Sequence, residues 1–230
     1  MLKAIVFDFD GVLIDSEPLM RFAFESCYRR RGLPGEPPTE AYLEHMGAPF
    51  PRIMDHLGLP RDLWEPYKAL CRAHLDLVAL FPEAPGLLRL ARRLGLDLAL
   101  LTGKDRMRTL ETLDHFDLAR YFRLVVASDE LRRPKPDPEG ILRILDELGV
   151  EAHEAVMVGD AVNDVRCAQA AGVTAVAVTW GTKPERLSLC DPDHLVDDWD
   201  SLAGLLLAMC RPAIPVEATA TATSAVSAAP

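Results

Sequence analysis

Residues 3–16 read KAIVFDFDGVLIDS, and the way this stretch ends decides the fold. Its first five residues form a short, largely apolar run without alternation, the pattern of a strand buried on both faces, and the run stops at an acidic turn, Asp8 to Gly11. Similar runs recur at 96–101, 123–127, 155–158 and 174–178. Helical stretches lie between them at 85–94, 106–116, 138–148 and 161–171. Strand and helix therefore alternate. This predicts an α/β fold, a doubly wound parallel sheet with helices on both faces, right-handed crossovers and the ligand site at the carboxyl ends of the strands.

The alternation breaks once, in residues 15–84, where helical segments at 17–31, 39–46, 52–57 and 62–80 occur without a convincing buried strand. A strand-to-strand crossover needs far fewer residues. The excess predicts a small helical cap inserted over the mouth of the site, set into a core of 1–14 and 85–210. The segment 211–230, RPAIPVEATATATSAVSAAP, is rich in alanine, threonine, serine and proline and is expected to be disordered.

Composition narrows the partners. Among 230 residues, 25 lysines and arginines face 35 aspartates and glutamates, a formal charge of -10, so no large cationic surface exists for nucleic acid. The five cysteines, Cys27, Cys71, Cys167, Cys190 and Cys210, form no CxxC pair and read as reduced thiols of a cytoplasmic protein. The opening MLKAIVFDFDG has too short an apolar stretch for a signal peptide, and the apolar run at 202–210 is too short to span a bilayer. No membrane partner is expected, and the oligomeric state is left open between monomer and homodimer.

Four polar clusters fall where the expected strands end: Asp8 with Asp10, Thr102, Lys135, and Asp160 with Asp164. In a parallel sheet these ends converge, so the fold would assemble carboxylates, an ammonium and a hydroxyl from distant parts of the chain. Such a set suits phosphoryl transfer from a small phosphorylated metabolite, with a hard divalent ion such as Mg2+ held by oxygen ligands. Taken singly, each residue has a plainer reading. Paired aspartates often cap helices or turns, Asp164 suits a first helical turn, Thr102 with Gly103 makes a turn, and Lys135 between two prolines reads as a solvated loop. Taken alone, those plainer readings stand. The histidines lie outside the clusters without ligand spacing, and the three tryptophans read as packing residues.

In order along the chain, FDFDGVLIDS (7–16), LLTGK (100–104), RPKPDP (133–138) and VGDAVND (158–164) resemble the four motifs of the haloacid dehalogenase-like superfamily, over residues 4–196. The resemblance implies that Asp8 is the nucleophile forming an aspartyl-phosphate, and that Asp10 protonates the leaving oxygen and then deprotonates water. It implies Mg2+ on the Asp8 carboxylate, the Asp10 carbonyl and Asp160, with Asp164 acting through water. Thr102, the amides of Gly103 and Lys104, and Gly11 would contact the phosphate, and Lys135 would offset the charge of the cluster. Asp10 argues against the dehalogenase branch, which lacks it. Lys68, the only lysine of the helical segment, is misplaced for a Schiff base, and Met20 stands where a sugar-phosphate mutase carries histidine.

The implied activity is that of a plain phosphatase. At finer grain, MRFAFESCYRRRG, PFPRIMDHLGLP, VVASDELRRPKPDP and EAVMVGDAVNDVRCAQAAGV resemble phosphatases associated with 3-amino-5-hydroxybenzoate synthesis in ansamycin-type antibiotic pathways. Those relatives also resemble phosphoglycolate phosphatases. The implied substrate is a sugar or amino-sugar phosphate, or a nucleotide-linked amino sugar, with phosphoglycolate hydrolysis or a mutase reaction as alternatives. Gly47 and Arg52, in the loop 47–52, are the expected substrate contacts of the cap. A signalling receiver module, which also accepts phosphate on aspartate, places its acidic pair first and has about half this length.

Overall fold

The computed structural model describes residues 1–45, 47–181, 187 and 190–210; the segment 211–230, expected to be disordered, lies outside the described residues. Eight strands follow in chain order: β1 (Ala4–Phe7), β2 (Ile14–Asp15), β3 (Ala79–Leu80), β4 (Asp97–Leu101), β5 (Leu124–Val126), β6 (Ala155–Gly159), β7 (Thr174–Val178) and β8 (His194–Val196). Six of them form one parallel sheet in the order β5-β4-β1-β6-β7-β8. The chain builds outward from β1 to β5 on one side and then returns to build from β6 to β8 on the other. The carboxyl end of β1 therefore lies at the switch point, where open α/β sheets bind ligands.

Side chains alternate across this sheet and feed two cores. Ile5, Phe7, Leu98, Leu100, Val156 and Val158 enter one apolar cluster, together with Leu87 and Leu88 of α5 (Ala84–Arg93). Ala4, Val6, Ala99, Leu101 and Met157 enter the other, under Ile141 and Ile144 of α7 (Glu139–Leu148) and Val165 and Ala168 of α8 (Val162–Ala171). Burial on both faces explains why these strands show no alternation in sequence. Helix α6 (Arg106–His115) follows β4 and starts at Asp105, whose side chain accepts the Arg108 N–H.

Four helices lie between β2 and β3: α1 (Glu17–Arg30), α2 (Thr39–Leu43), α3 (Phe50–Leu57) and α4 (Trp64–Ala73). They share the first cluster through Phe24, Tyr42, Phe50 and Tyr67. Strands β2 and β3 pair antiparallel, Ile14 with Leu80 and Asp15 with Ala79, so the chain enters and leaves this helical segment side by side.

Two local expectations fail for physical reasons. The single helix expected over 62–80 ends at Ala73, because His74 leaves the helical region (φ -128, ψ 39), and a short 3-10 turn then leads into β3. The pairing with β2 outweighs the helical pattern there. Strand β8 has no counterpart in the sequence reading, since His194 and Leu195 are exposed and only Val196 is buried, which leaves no apolar run to detect.

Candidate active site

Asp8, Thr102 and Asp160 each follow directly on the last residue of a neighbouring central strand, β1, β4 and β6. The ladder holds these ends in place: Asp8 N–H donates to Val158 O at 2.9 Å and Thr102 N–H to Val126 O at 3.1 Å. Asp8 is 1% exposed, Thr102 2%, Lys135 2%, Asp160 5% and Asp164 1%, so a set of polar groups is buried at one end of the sheet. Burial on that scale is unfavourable unless charges are compensated.

Part of the compensation is Lys135. Far from being a solvated loop residue, it sends Nζ inward to Leu101 O at 3.1 Å and to Asp164 Oδ1 at 2.6 Å. The same Nζ is ion-paired with Asp8 Oδ1 at 2.9 Å, and among the described residues neither Asp8 oxygen has a further hydrogen-bond donor. Asp164 also takes the Ala161 N–H on Oδ2 at 3.0 Å, so its first-turn capping reading holds alongside its place in the cluster.

One ammonium does not balance three carboxylates. Burial raises Asp8 from 3.8 to about 7, with the charge of Asp164 adding and Lys135 opposing. Burial, with Asp8 and Asp164, pushes Asp160 well above the usual carboxylate range. Burial works against the Lys135 ammonium, yet Asp164 and Asp8 keep its pKa above the ordinary lysine value. Oxygens of Asp8, Asp160 and Asp164 lie within 4.8 Å of one another. Converging buried carboxylates, one of them with no hydrogen-bond donor beyond the shared lysine, fit a hard divalent cation by donor chemistry and by charge.

The Asp10 carboxylate turns away from this cluster. Its Oδ1 accepts from Ser16 Oγ at 2.6 Å and meets Lys104 Nζ at 2.9 Å. Burial would raise its pKa, but Lys104 and the Ser16 hydrogen bond prevail and lower it. Its side chain is therefore held as an anion, apart from the three clustered carboxylates.

The turn after β1 requires glycine. Gly11 adopts φ +78, and a Cβ there would lie 2.0 Å from Asp160 Oδ2, so a side chain would displace a carboxylate of the cluster. After β4, Lys104 N–H donates to Thr102 Oγ1 at 3.2 Å, closing a turn around Gly103 and leaving the threonine hydroxyl proton free to donate. Gly47 from the helical segment touches this turn, because a Cβ on Gly103 would meet Gly47 O at 2.3 Å. Arg52, in contrast, is exposed on α3 and does not line the cleft.

The cleft between the helical segment and the sheet joins Asp10, Gly47, Gly103 and Lys104 to an apolar wall of Met20, Phe50, Ile53 and Leu75. It is partly open to solvent, and its room for water-sized molecules is about 40 Å³. Arg108, on the first turn of α6, also lines it. Sequence reasoning missed Arg108, since an arginine in the stretch RMRTLET reads as a solvated helix face. The weak signal was Asp105, which caps the helix and pairs with the same arginine.

A family model described as haloacid dehalogenase-like hydrolase matches residues 5–178. A phosphoglycolate phosphatase of Neisseria meningitidis is 32% identical over 209 residues, 86% of this chain and 88% of that protein. Phosphoglycolate phosphatase 1 of Pseudomonas aeruginosa is 33% identical over 190 residues, covering 78% of this chain and 70% of that protein. Among solved structures, a hydrolase from Pseudomonas syringae superposes with a TM-score of 0.80 at 20% identity, over 90% of this chain and 98% of its own.

Proposed function

The chain belongs to the haloacid dehalogenase-like hydrolases and is a phosphatase; from that premise we propose that it hydrolyses a small phosphorylated metabolite of the cytoplasm through an aspartyl-phosphate on Asp8. The observation that carries the proposal is the Asp8 carboxylate, buried at the end of β1 beside Lys135 with no further hydrogen-bond donor on either oxygen. A structural aspartate would have its oxygens satisfied. A buried carboxylate held by one shared ion pair alone, beside two further carboxylates, suits a nucleophile and ligand awaiting partners.

Asp8, Asp160 and the Asp10 carbonyl would hold Mg2+, with Asp164 acting through water, and the ion when bound neutralises charge on the phosphoryl oxygens. The chain's own groups do the rest. An Asp8 oxygen attacks phosphorus, the bond from phosphorus to the leaving oxygen breaks, and Asp10 gives that oxygen a proton. Water then attacks the aspartyl-phosphate, Asp10 takes a proton from it, and inorganic phosphate leaves with Asp8 restored. Ser16 and Lys104 keep Asp10 deprotonated, the form that the second half-reaction requires of it. In the first half-reaction, the arriving phosphate dianion raises the proton affinity of Asp10 by like-charge repulsion. The Thr102 hydroxyl and the Gly103 amide bind the transferring group, the Lys104 amide being engaged by Thr102 Oγ1, and residues 15–84 act as a cap that excludes water.

For the substrate, the resemblance to phosphatases of 3-amino-5-hydroxybenzoate synthesis supports an amino-sugar phosphate, whereas two features support a shorter ester such as phosphoglycolate. The relatives named above carry that activity in their names. The room within the partly open cleft is also small, about 40 Å³ where one water needs roughly 10–15 Å³ by the same measure. A sugar ring or nucleotide would require the cap to open. A mutase reaction is disfavoured because Met20, on the cleft wall, has no proton to exchange. The test is phosphate release from p-nitrophenyl phosphate, phosphoglycolate, hexosamine phosphates and nucleotide-linked amino sugars, with Mg2+ or with chelator. No magnesium-dependent release from any of them overturns the proposal, and a best rate on a hexosamine phosphate overturns the preference for a short ester.

A further inference from the structure

The oxygen acceptors along the cleft wall are already taken. The carboxylate of Asp10 is held by Ser16 and Lys104, and Glu111 is paired with Arg72 at 2.7 Å. Tyr42 O–H donates to the Tyr67 hydroxyl at 2.7 Å. The Thr112 hydroxyl is turned to the backbone, donating to Arg108 O at 2.8 Å. One strong donor set on the same wall has no such partner.

That set is the Arg108 guanidinium. Its Nε donates to Asp105 Oδ2, and Nη1 meets only the Cys71 sulfur at 3.8 Å, a weak acceptor. Among the described residues, no protein oxygen accepts from either Nη. The side chain is 11% exposed, so bulk water does not take the place of those acceptors freely. The ring of Trp64 lies 5.0 Å and that of Tyr67 5.4 Å from the guanidinium carbon, which fixes the plane of the group. A planar fork, held on one edge by Asp105 and packed against the Trp64 and Tyr67 rings, thus lines a cleft with apolar walls.

Resting on the phosphatase reading above, we propose that Arg108 is the specificity-determining residue of this site, its Nη edge receiving a carboxylate on the alcohol part of the substrate. A carboxylate is planar and accepts two parallel hydrogen bonds, the match for a guanidinium edge. A lone hydroxyl would use one donor and leave the other buried without an acceptor. The limited room in the cleft, about 40 Å³ for water-sized molecules, favours a carboxylate over the bulkier second phosphate. Lys104 and Asp10 receive the phosphorylated end, and Arg108 reads the other end of a short acid.

The test compares phosphoglycolate with ethyl phosphate, which lacks the carboxylate, at saturating Mg2+ for the wild type, Arg108→Lys, Arg108→Met and the double variant Asp105→Asn with Arg108→Met. The double variant removes both members of the ion pair, so no unpaired charge is left to unfold the protein. The wild type is expected to prefer phosphoglycolate. In Arg108→Met and the double variant the ratio of kcat/KM between the two esters should fall roughly tenfold to a hundredfold, carried by KM, with partial rescue in Arg108→Lys. If both rates fall in parallel and the ratio holds, Arg108 only packs the cap against α6 and the inference is overturned. A wild-type ratio near one overturns it as well. If the wild type releases phosphate from neither ester nor from p-nitrophenyl phosphate, the phosphatase reading itself fails and takes the inference with it.

Discussion

Lys135 Nζ and Asp164 Oδ1, 29 positions apart in the chain, meet at 2.6 Å with both side chains almost wholly buried. The same ammonium lies 2.9 Å from Asp8, so one cation serves two carboxylates that would otherwise repel each other. The pair ties the loop after β5 to the first turn of α8, and its ammonium opposes the burial and the Asp164 charge that raise the pKa of Asp8.

Removing that ammonium should be costly. Lys135→Met leaves Asp8 and Asp164 buried without a counter-charge, and breaking a buried pair on one side is worth about 3–5 kcal/mol. Urea unfolding of the metal-free protein should show that loss, and phosphate release should drop at least about a hundredfold. A variant as stable as the wild type would mean that the carboxylates are already neutral without lysine.

Asp8→Asn should separate chemistry from folding. The amide keeps the shape and removes one charge from a crowded cluster, so the melting temperature should hold or rise. Release of phosphate from an aryl ester should fall by about a thousandfold or more, as expected when a nucleophile is lost. Turnover within tenfold of the wild type would remove Asp8 from the role of nucleophile.

Stability should also depend on pH in a sense set by Asp8. Its pKa is about 7 when folded against 3.8 as the ordinary value, so between those values the folded state keeps a proton that the unfolded chain has lost. Folding is then favoured in full below about pH 4 and progressively less as pH rises toward 7. Asp160, raised in the same direction, adds to the trend. Asp10 and Asp105, both lowered, act oppositely and only below the ordinary carboxylate range. In chelator, the melting temperature should therefore fall from pH 4 to pH 7. Mg2+ at a hundredfold excess over its Kd should restore about 2.7 kcal/mol at pH 7, on the order of 5–10 °C, and Asp160→Asn should abolish that gain.

These outcomes rest on parts of the molecule that differ in how openly the sequence declares them. Strands β1, β4, β6 and β7 are apolar on both faces, so each announces itself, and strand-end position alone brings Asp8, Thr102 and Asp160 together. Lys135 was legible through its motif and not through its surroundings, because nothing local says that a lysine between prolines turns inward. The direction of the Asp10 carboxylate was not legible, since it depends on Ser16 and on Lys104, a residue 94 positions away. Arg108 escaped notice for a related reason. Its partners Trp64, Tyr67 and Cys71 belong to α4, and a helix face that meets another helix carries no mark that distinguishes it from one that meets water.

The contact of Gly47 with Gly103 gives the sharpest steric prediction. Gly103→Ala places a methyl group 2.3 Å from Gly47 O and 3.3 Å from Ala48 N, and both are backbone atoms that no rotamer change can move. Gly47 is itself at φ +85 and close to Ala161, so the segment at 47–48 must lift away from β4 as a unit. Overpacking of this kind costs about 1–3 kcal/mol, and it opens the cleft on the side where Gly47 closes it. KM for a small substrate should rise about tenfold or more, with a smaller loss of kcat, because the Asp8 cluster lies on strands the methyl does not reach. Gly204→Ala is the matched control: it lies within the last described helix (Trp199–Met209) with nothing near its added Cβ, and it should stabilise by about 0.5–1 kcal/mol without changing KM. Equal KM in the two variants would show that the segment at 47–48 does not close the cleft over substrate.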